Sequence, residues 1–474
     1  MRIPVRVMMA ATINMFLVSA LIAQDPHSLI KRAIDATGLE NTKGKILHFH
    51  AADILMQTAQ SDRMYPPYYP QVNNSELWFD AERAVQRTQS STIFFGRGPT
   101  PTMTSIIGQS GGVVLRDTLV FPTGGGPDKM NVWDVLIDWN RTGEVKLEKP
   151  SVYRDYSRNI VSRNGRFGKE RLFLDPKSGL PVKLEYSELH FLWGQADVEY
   201  LYMTWISVGN TLIPSGVVKI VNGEPDTYRT VGKSELVAMT AAPSLEIPPS
   251  RMSLPPSQPG VLSSPEPDTV RVSGNTILTR NRFYQEGISF IDGTIYVFDA
   301  TLGENRAKQD SAWIAKAFPG EHPIVVVVTD LAWPHIAGVR YWVSKGATIV
   351  SHRMSEEFLK KVIDRKWTMN PDELEKNRSR VRFKFTPVGR ELSLAGGKVK
   401  LYAIDGLGSE GGLMAYLPEE KFLWAGDYIQ SVRRQTAYAK EVRDAVQRVG
   451  IKPERVAAQH IPLTPWSTID GLFK

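Results

Sequence analysis

Cysteine is absent from all 474 residues. That excludes disulfides, thiol nucleophiles, thiolate zinc sites and lipid attachment through a cysteine. Long basic runs and basic–aromatic stripes are missing too, although the formal net charge is +7. The surplus reads as a mildly basic, solvated surface, and nucleic acid is not an expected partner. After the first 23 residues no apolar run is long enough to suggest a membrane span. What is present is ordinary for a protein with real cores: 42% hydrophobic and 23% charged residues, over a length that suits two or three domains.

The N-terminus has the layout of a secretory signal peptide over residues 1–23. Arg2 and Arg6 precede a mostly apolar stretch, Val7 to Ala23, with a cleavage site at Leu21-Ile22-Ala23. Thr12, Asn14 and Ser19 dilute the run, which favours cleavage over a retained anchor. The expectation is a periplasmic or secreted bacterial protein with no stable membrane insertion after cleavage.

Two textures follow. Residues 30–242 are strand-rich, after helical spacing at Leu29, Ile30, Ala33 and Ile34. Strands are expected at Ile46–Ala51, Ser75–Asp80, Val113–Arg116, Arg171–Leu174, Leu180–Tyr186, Val198–Ile206 and Ser215–Val221. Asp175-Pro176-Lys177-Ser178-Gly179 forms the clearest turn. Leu174-Asp175-Pro176 followed by Gly179-Leu180-Pro181, with a later polar turn ending in Ile213-Pro214, resembles the lipoprotein-carrier type of periplasmic domain. The resemblance implies a curved antiparallel sheet with a helix, cupping an apolar ligand. Residues 243–268 are Pro-rich and read as a linker. From 269 to 474 strands and helices alternate, which implies α/β layering. Helices are expected at Ser311–Phe318, Ile336–Lys345 and Met354–Arg365.

The most informative segment is Val325-Val326-Val327-Val328-Thr329-Asp330-Leu331-Ala332-Trp333-Pro334-His335. Four β-branched residues read as a buried parallel strand. With Ile295–Ala300 ending in an acidic residue, Gly346–His352, Gly411–Asp427 ending in Gly-Asp, and Ala458-Gln459-His460, it resembles the metallo-β-lactamase superfamily. The resemblance implies a four-layer αββα fold and two metals that activate water. The first metal's three positions read Asp330, Ala332 and Gly408, and two of these have no donor atom. The second's read Pro334, His335 and His460, with Asp427 as the bridging carboxylate. His335, Asp427 and His460, with Asp330 as a fourth ligand or general base, are the candidate metal set, for one Zn²⁺, Mn²⁺ or Fe²⁺ or for no metal at all. Asp405 and Glu410 are further oxygen candidates.

His48 and His50 alternate along one strand and so share a face, with no partner cluster visible in the sequence. They read as a polar sheet face. His27, His190, His322 and His352 read as exposed or structural. Thr123-Gly124-Gly125-Gly126 leads into Pro127 and not into a helix through Lys-Ser or Lys-Thr, so it reads as a loop. Two functions follow. One is a binding or scaffold protein for a small or apolar ligand, a pseudoenzyme with a degenerate metal site. The other is a single-metal hydrolase acting on an ester, lactone or amide.

Overall fold

The computed structural model describes residues 25–56, 68, 70–94, 98–116, 119–154, 156–249, 262, 266–281 and 284–474. The expected signal peptide lies outside these residues, as does most of the Pro-rich stretch. No helix among the described residues is long and apolar enough to cross a membrane.

Residues 45–238 form one sheet in which every paired strand is antiparallel. Lys45–Leu55 lies at its middle, pairing with Gln71–Asp80 on one side and Glu224–Ala238 on the other. Alternation along this strand sends Leu47, Phe49 and Ala51 to one face and Ile46, His48 and His50 to the other. The first face is covered by two helices, Pro26–Thr37 and Val132–Arg141. Asp25 caps the first through N–H bonds from His27 and Ser28, and Gly38, at φ 66°, ends it. The second helix is absent from the sequence-based expectation of a single one. Its buried Trp133 and Trp139 help to fill the space against the sheet.

Residues 268–465 carry two further sheets. One has seven strands, antiparallel from Asp268–Arg271 to Thr294–Phe298 and then parallel through Ile324–Val328, Thr348–His352 and Lys384–Val388. The other has six strands, from Glu391–Leu394 to Ile461–Pro465. Alternate residues decide the layering. Phe298, Val327 and Val350 of the first sheet meet Leu401, Leu413, Ala415 and Trp424 of the second in a closed apolar layer. The residues between them, such as Val297, Val326 and Ile349, face the other way, into the cluster that holds helix residues Trp342, Leu359 and Val362. Tyr416, Leu423 and Val456 turn likewise towards helix Ala437–Val449. The order is helix, sheet, sheet, helix.

The helix expected at Ser311–Phe318 starts earlier, at Glu304. Its first turns bury Arg306 and Asp310, bonded at 2.7 Å with both side chains fully enclosed. A buried charged pair at i,i+4 hides the apolar stripe from a hydropathy reading. The helix expected at Ile336–Lys345 is two pieces, Trp333–Ile336 and Val339–Ser344.

One buried apolar cluster contains residues from both 30–242 and 269–474, so the two ranges pack against each other. The junction is aromatic. Trp193 stands edge-on to Trp333 (5.9 Å) and to Phe358 (5.6 Å), and His190 stands edge-on to Trp333 (5.2 Å). Gly194 turns here at φ 67°, and a Cβ on it would lie 2.4 Å from the Trp367 ring.

Candidate metal centre

Thr329 follows the buried strand Ile324–Val328, and the chain then turns through Asp330 into the short helix that begins at Trp333. Pro334 is placed in the first turn of that helix, where a missing N–H costs nothing. The turn brings the Asp330 carboxylate onto the His335 ring: Oδ1 lies 2.7 Å from Nδ1 and also accepts the Ala332 N–H at 2.8 Å. Both side chains are almost completely buried.

Asp427 follows the hairpin Leu413–Leu417 and Phe422–Trp424. Gly426 makes the approach possible. Its φ is 54°, and a Cβ there would fall 2.3 Å from the Thr329 hydroxyl. Asp427 Oδ1 accepts from Gln430 Nε2 at 2.8 Å and lies 3.1 Å from His460 Nε2. His460 itself leaves the end of strand Arg455–Ala458 and is partly exposed.

The outcome is that His335, Asp427 and His460, distant in sequence, each offer a donor atom within 4.8 Å of the others. Asp330 does not join this set of donors; its carboxylate is engaged with His335 and the Ala332 amide. Asp405 lies towards Arg448 (3.9 Å), and neither it nor Glu410 belongs to the set.

Three residues that the sequence reading did not place in the site organise it. Asp299, fully buried at φ 68°, accepts from the Thr329 N–H (2.8 Å), Trp424 Nε1 (2.9 Å) and Gln459 Nε2 (2.9 Å), so one carboxylate ties four segments together. Gln459 also reaches Asp330 Oδ2 at 3.3 Å. The Tyr284 ring lies against both imidazoles, 5.6 Å from His335 and 5.1 Å from His460. Asp299 and Gln459 had a visible signal, since each stands in a segment singled out above. Tyr284 had none, because ring walls carry no spacing rule.

The electrostatics favour positive charge here. Burial alone would lower the His335 pKa, but the carboxylates of Asp330, Asp427 and Asp299 outweigh it and hold the ring up at about 9. Burial and the neighbouring Asp330 charge push Asp299 up to about 6. Tyr284 is raised by burial and by Asp427 and Asp330.

The donor set fits one cation. Two imidazoles and one carboxylate suit zinc or another first-row divalent ion. The Asp330 carboxylate occupies His335 Nδ1 and leaves Nε2 for the ion, and a carboxylate on the far nitrogen fixes the ring orientation of a ligating histidine. Gly408, where the resemblance would put a ligand of another metal, is closed in by packing and brings no donor atom. A Cβ on Gly408 would lie 2.5 Å from the Tyr438 ring, while Glu441 accepts the Gly408 N–H at 2.9 Å and the Ser409 hydroxyl at 2.7 Å. Gly408→His is therefore expected to cost about 1–3 kcal/mol by overpacking. Combined with Ala332→His and Pro334→Asp, it should add no further equivalent of zinc. Denaturant midpoints and elemental analysis check both expectations; an unperturbed midpoint would show that Tyr438 yields freely.

No family model matches this chain, and no curated protein matches its sequence. Solved metallo-β-lactamases are among the structures it resembles. The DIM-1 enzyme shares 15% identity at a TM-score of 0.34, over 44% of this chain and 95% of that one. The enzyme from Pontibacter korlensis shares 13% at 0.35, over 44% and 98%. That from Erythrobacter litoralis shares 13% at 0.34, over 44% and 96%. None of these similarities reaches a level at which a residue's role transfers.

Proposed function

We infer that residues 269–474 form a metallo-β-lactamase-like unit holding a single divalent metal, and that this unit is a hydrolase acting on an ester, lactone or amide of small size. The observation that carries the reading is the convergence of His335, Asp427 and His460, with donor atoms within 4.8 Å of one another. Three features support it beyond proximity. Asp330 fixes the His335 ring, Gln430 fixes Asp427, and the partial exposure of His460 leaves an approach from solvent.

The metal, when bound, supplies Lewis acidity for polarising a carbonyl. The rest falls to the chain. Asp330 accepts the Nδ1–H hydrogen bond of His335 and orients the ring, so that the opposite nitrogen can ligate an ion once its own proton is displaced. Gln459 spans Asp299 and Asp330, so neither carboxylate is free to rotate into the site. Tyr284 walls the imidazoles on one side. The donor-free side chains at Ala332, Pro334 and Gly408 argue against a two-metal reaction and for weak, single-metal turnover.

The experiment compares the full chain, purified without chelator, with Asp427→Asn and His460→Ala. Zinc content is expected to fall by one equivalent per chain in each variant, with affinity weakened by at least about 100-fold. Hydrolysis of p-nitrophenyl acetate should drop to the uncatalysed rate. Unchanged zinc content in both variants would overturn the site. Normal zinc loss without any hydrolysis by the parent chain would leave a metal-holding scaffold instead of an enzyme.

A further inference from the structure

The exposed face of the N-terminal sheet gathers donors that the sequence left scattered. Strand pairing sets Glu76 directly across from His50 and Glu235 directly across from His48, on opposite sides of strand Lys45–Leu55. His48 and His50 are two residues apart and point the same way. Glu76 Oε1 lies 2.8 Å from His48 Nε2 and 3.9 Å from His50 Nε2. Donor atoms of His48, His50 and Glu76 all fall within 4.8 Å of one another. The reading of His48 and His50 as partnerless is thereby corrected: the partner comes from the neighbouring strand, and only register reveals it.

We propose that His48, His50 and Glu76 form a second divalent transition-metal site, with zinc the ion its donors suit best. Two further observations separate it from a chance polar cluster. Glu235 Oε1 lies 3.2 Å from His48 Nδ1, so a carboxylate engages the far nitrogen of the ring and leaves Nε2 for an ion. The same ring stacks on Trp78, at 5.1 Å and 5° between planes, which fixes its orientation. Trp78 in turn is buried with Ile46 and Leu245, so the platform under the site is rigid. Two imidazoles and one carboxylate make three protein ligands, and the half-exposed His50 side chain marks the side open to solvent. Three ligands with an outward position is a geometry zinc accepts, the fourth place going to water or to a group on a bound molecule. Bound there, the ion joins Lys45–Leu55 to Gln71–Asp80 by direct bonds and to Glu224–Ala238 through Glu235. It pins the strand on which the two halves of the sheet meet.

The test uses the full chain carrying His335→Ala and His460→Ala, stripped of metal, so that the C-terminal donors contribute nothing. Calorimetric titration with Zn²⁺ is expected to give one site per chain. His50→Ala should weaken it at least about 100-fold, and Glu235→Gln by about 10–100-fold. Co²⁺ should give a visible absorption band that disappears with His50→Ala. His50 lies on the solvent face, so this variant keeps the fold, and circular dichroism checks that it does. His50→Gln serves as a second, polar replacement with the same expected loss. No Zn²⁺ uptake in the double-variant background overturns the proposal, as does uptake that His50→Ala and Glu76→Gln leave unchanged. Neither result bears on the His335 set, which is disabled throughout.

Discussion

Arg340→Met is expected to destabilise the chain by about 3–5 kcal/mol. Arg340 is enclosed, with 2% of its side chain exposed. It donates to both oxygens of Asp372, at 2.6 and 3.0 Å, and to the carbonyls of Val362, Ile363 and Arg365 at 2.8–2.9 Å. Two of those carbonyls belong to the last turn of helix Glu356–Asp364, so the guanidinium also neutralises that helix's negative end. Its plane lies over Trp367 at 4.8 Å. Methionine fills the volume but leaves a buried carboxylate and several carbonyls without donors, and that desolvation sets the size of the loss. Arg340→Met with Asp372→Leu removes both charges and should recover part of it. Urea unfolding of the three proteins makes the comparison. A loss below about 1 kcal/mol for the single variant would mean that water replaces the guanidinium there.

Acid should open the junction between the two halves, with His190 as the main titrating group there. Burial, helped by the charge on Lys219, pushes its pKa down to about 4. Its Nδ1 accepts the N–H groups of Leu192 (3.1 Å) and Trp193 (3.3 Å), which requires the unprotonated nitrogen. In the unfolded chain the ring titrates near ~6.5. Between those values the unfolded state binds more protons than the folded one, so stability rises with pH. The contribution is complete above ~6.5 and is lost as pH falls through about 4. The difference corresponds to roughly 3 kcal/mol. His190→Asn, which keeps a side-chain acceptor but has no proton to gain, should show a flatter profile over this window. Parallel pH profiles for the two proteins would assign the acid sensitivity elsewhere.

The sequence made the strand-and-helix alternation after 269 legible because a buried parallel strand such as Ile324–Val328 has no polar positions to confuse it. Strands before 242 were found where turns are marked by Pro and Gly, as at 175–179, and their boundaries ran short where polar residues continue a strand at the surface. Helix Val132–Arg141 went unnoticed because its short amphipathic stretch mixes Asp134 and Asp138 with tryptophans. In the site, residue order pointed to His335, Asp427 and His460. It could not show that Asp330 faces the His335 ring, which depends on the turn through Ala332. Nor could it show Glu76 beside His48 and His50, because cross-strand neighbours are set by register and leave no local trace.

Trp333 and His335 share one short helical turn, and the ring of Trp333 is what the first half of the chain grips through His190 and Trp193. That makes the aromatic junction and the imidazole two ends of a single lever. Thermodynamic reciprocity then fixes a relation between them: whatever factor the grip would add to the affinity of an ion bound as proposed at His335, the ion would add to the cohesion of the halves. A chain cut between the halves would bare Trp333 and free the turn at the same time, so an isolated C-terminal piece is a poor stand-in for testing the proposed centre.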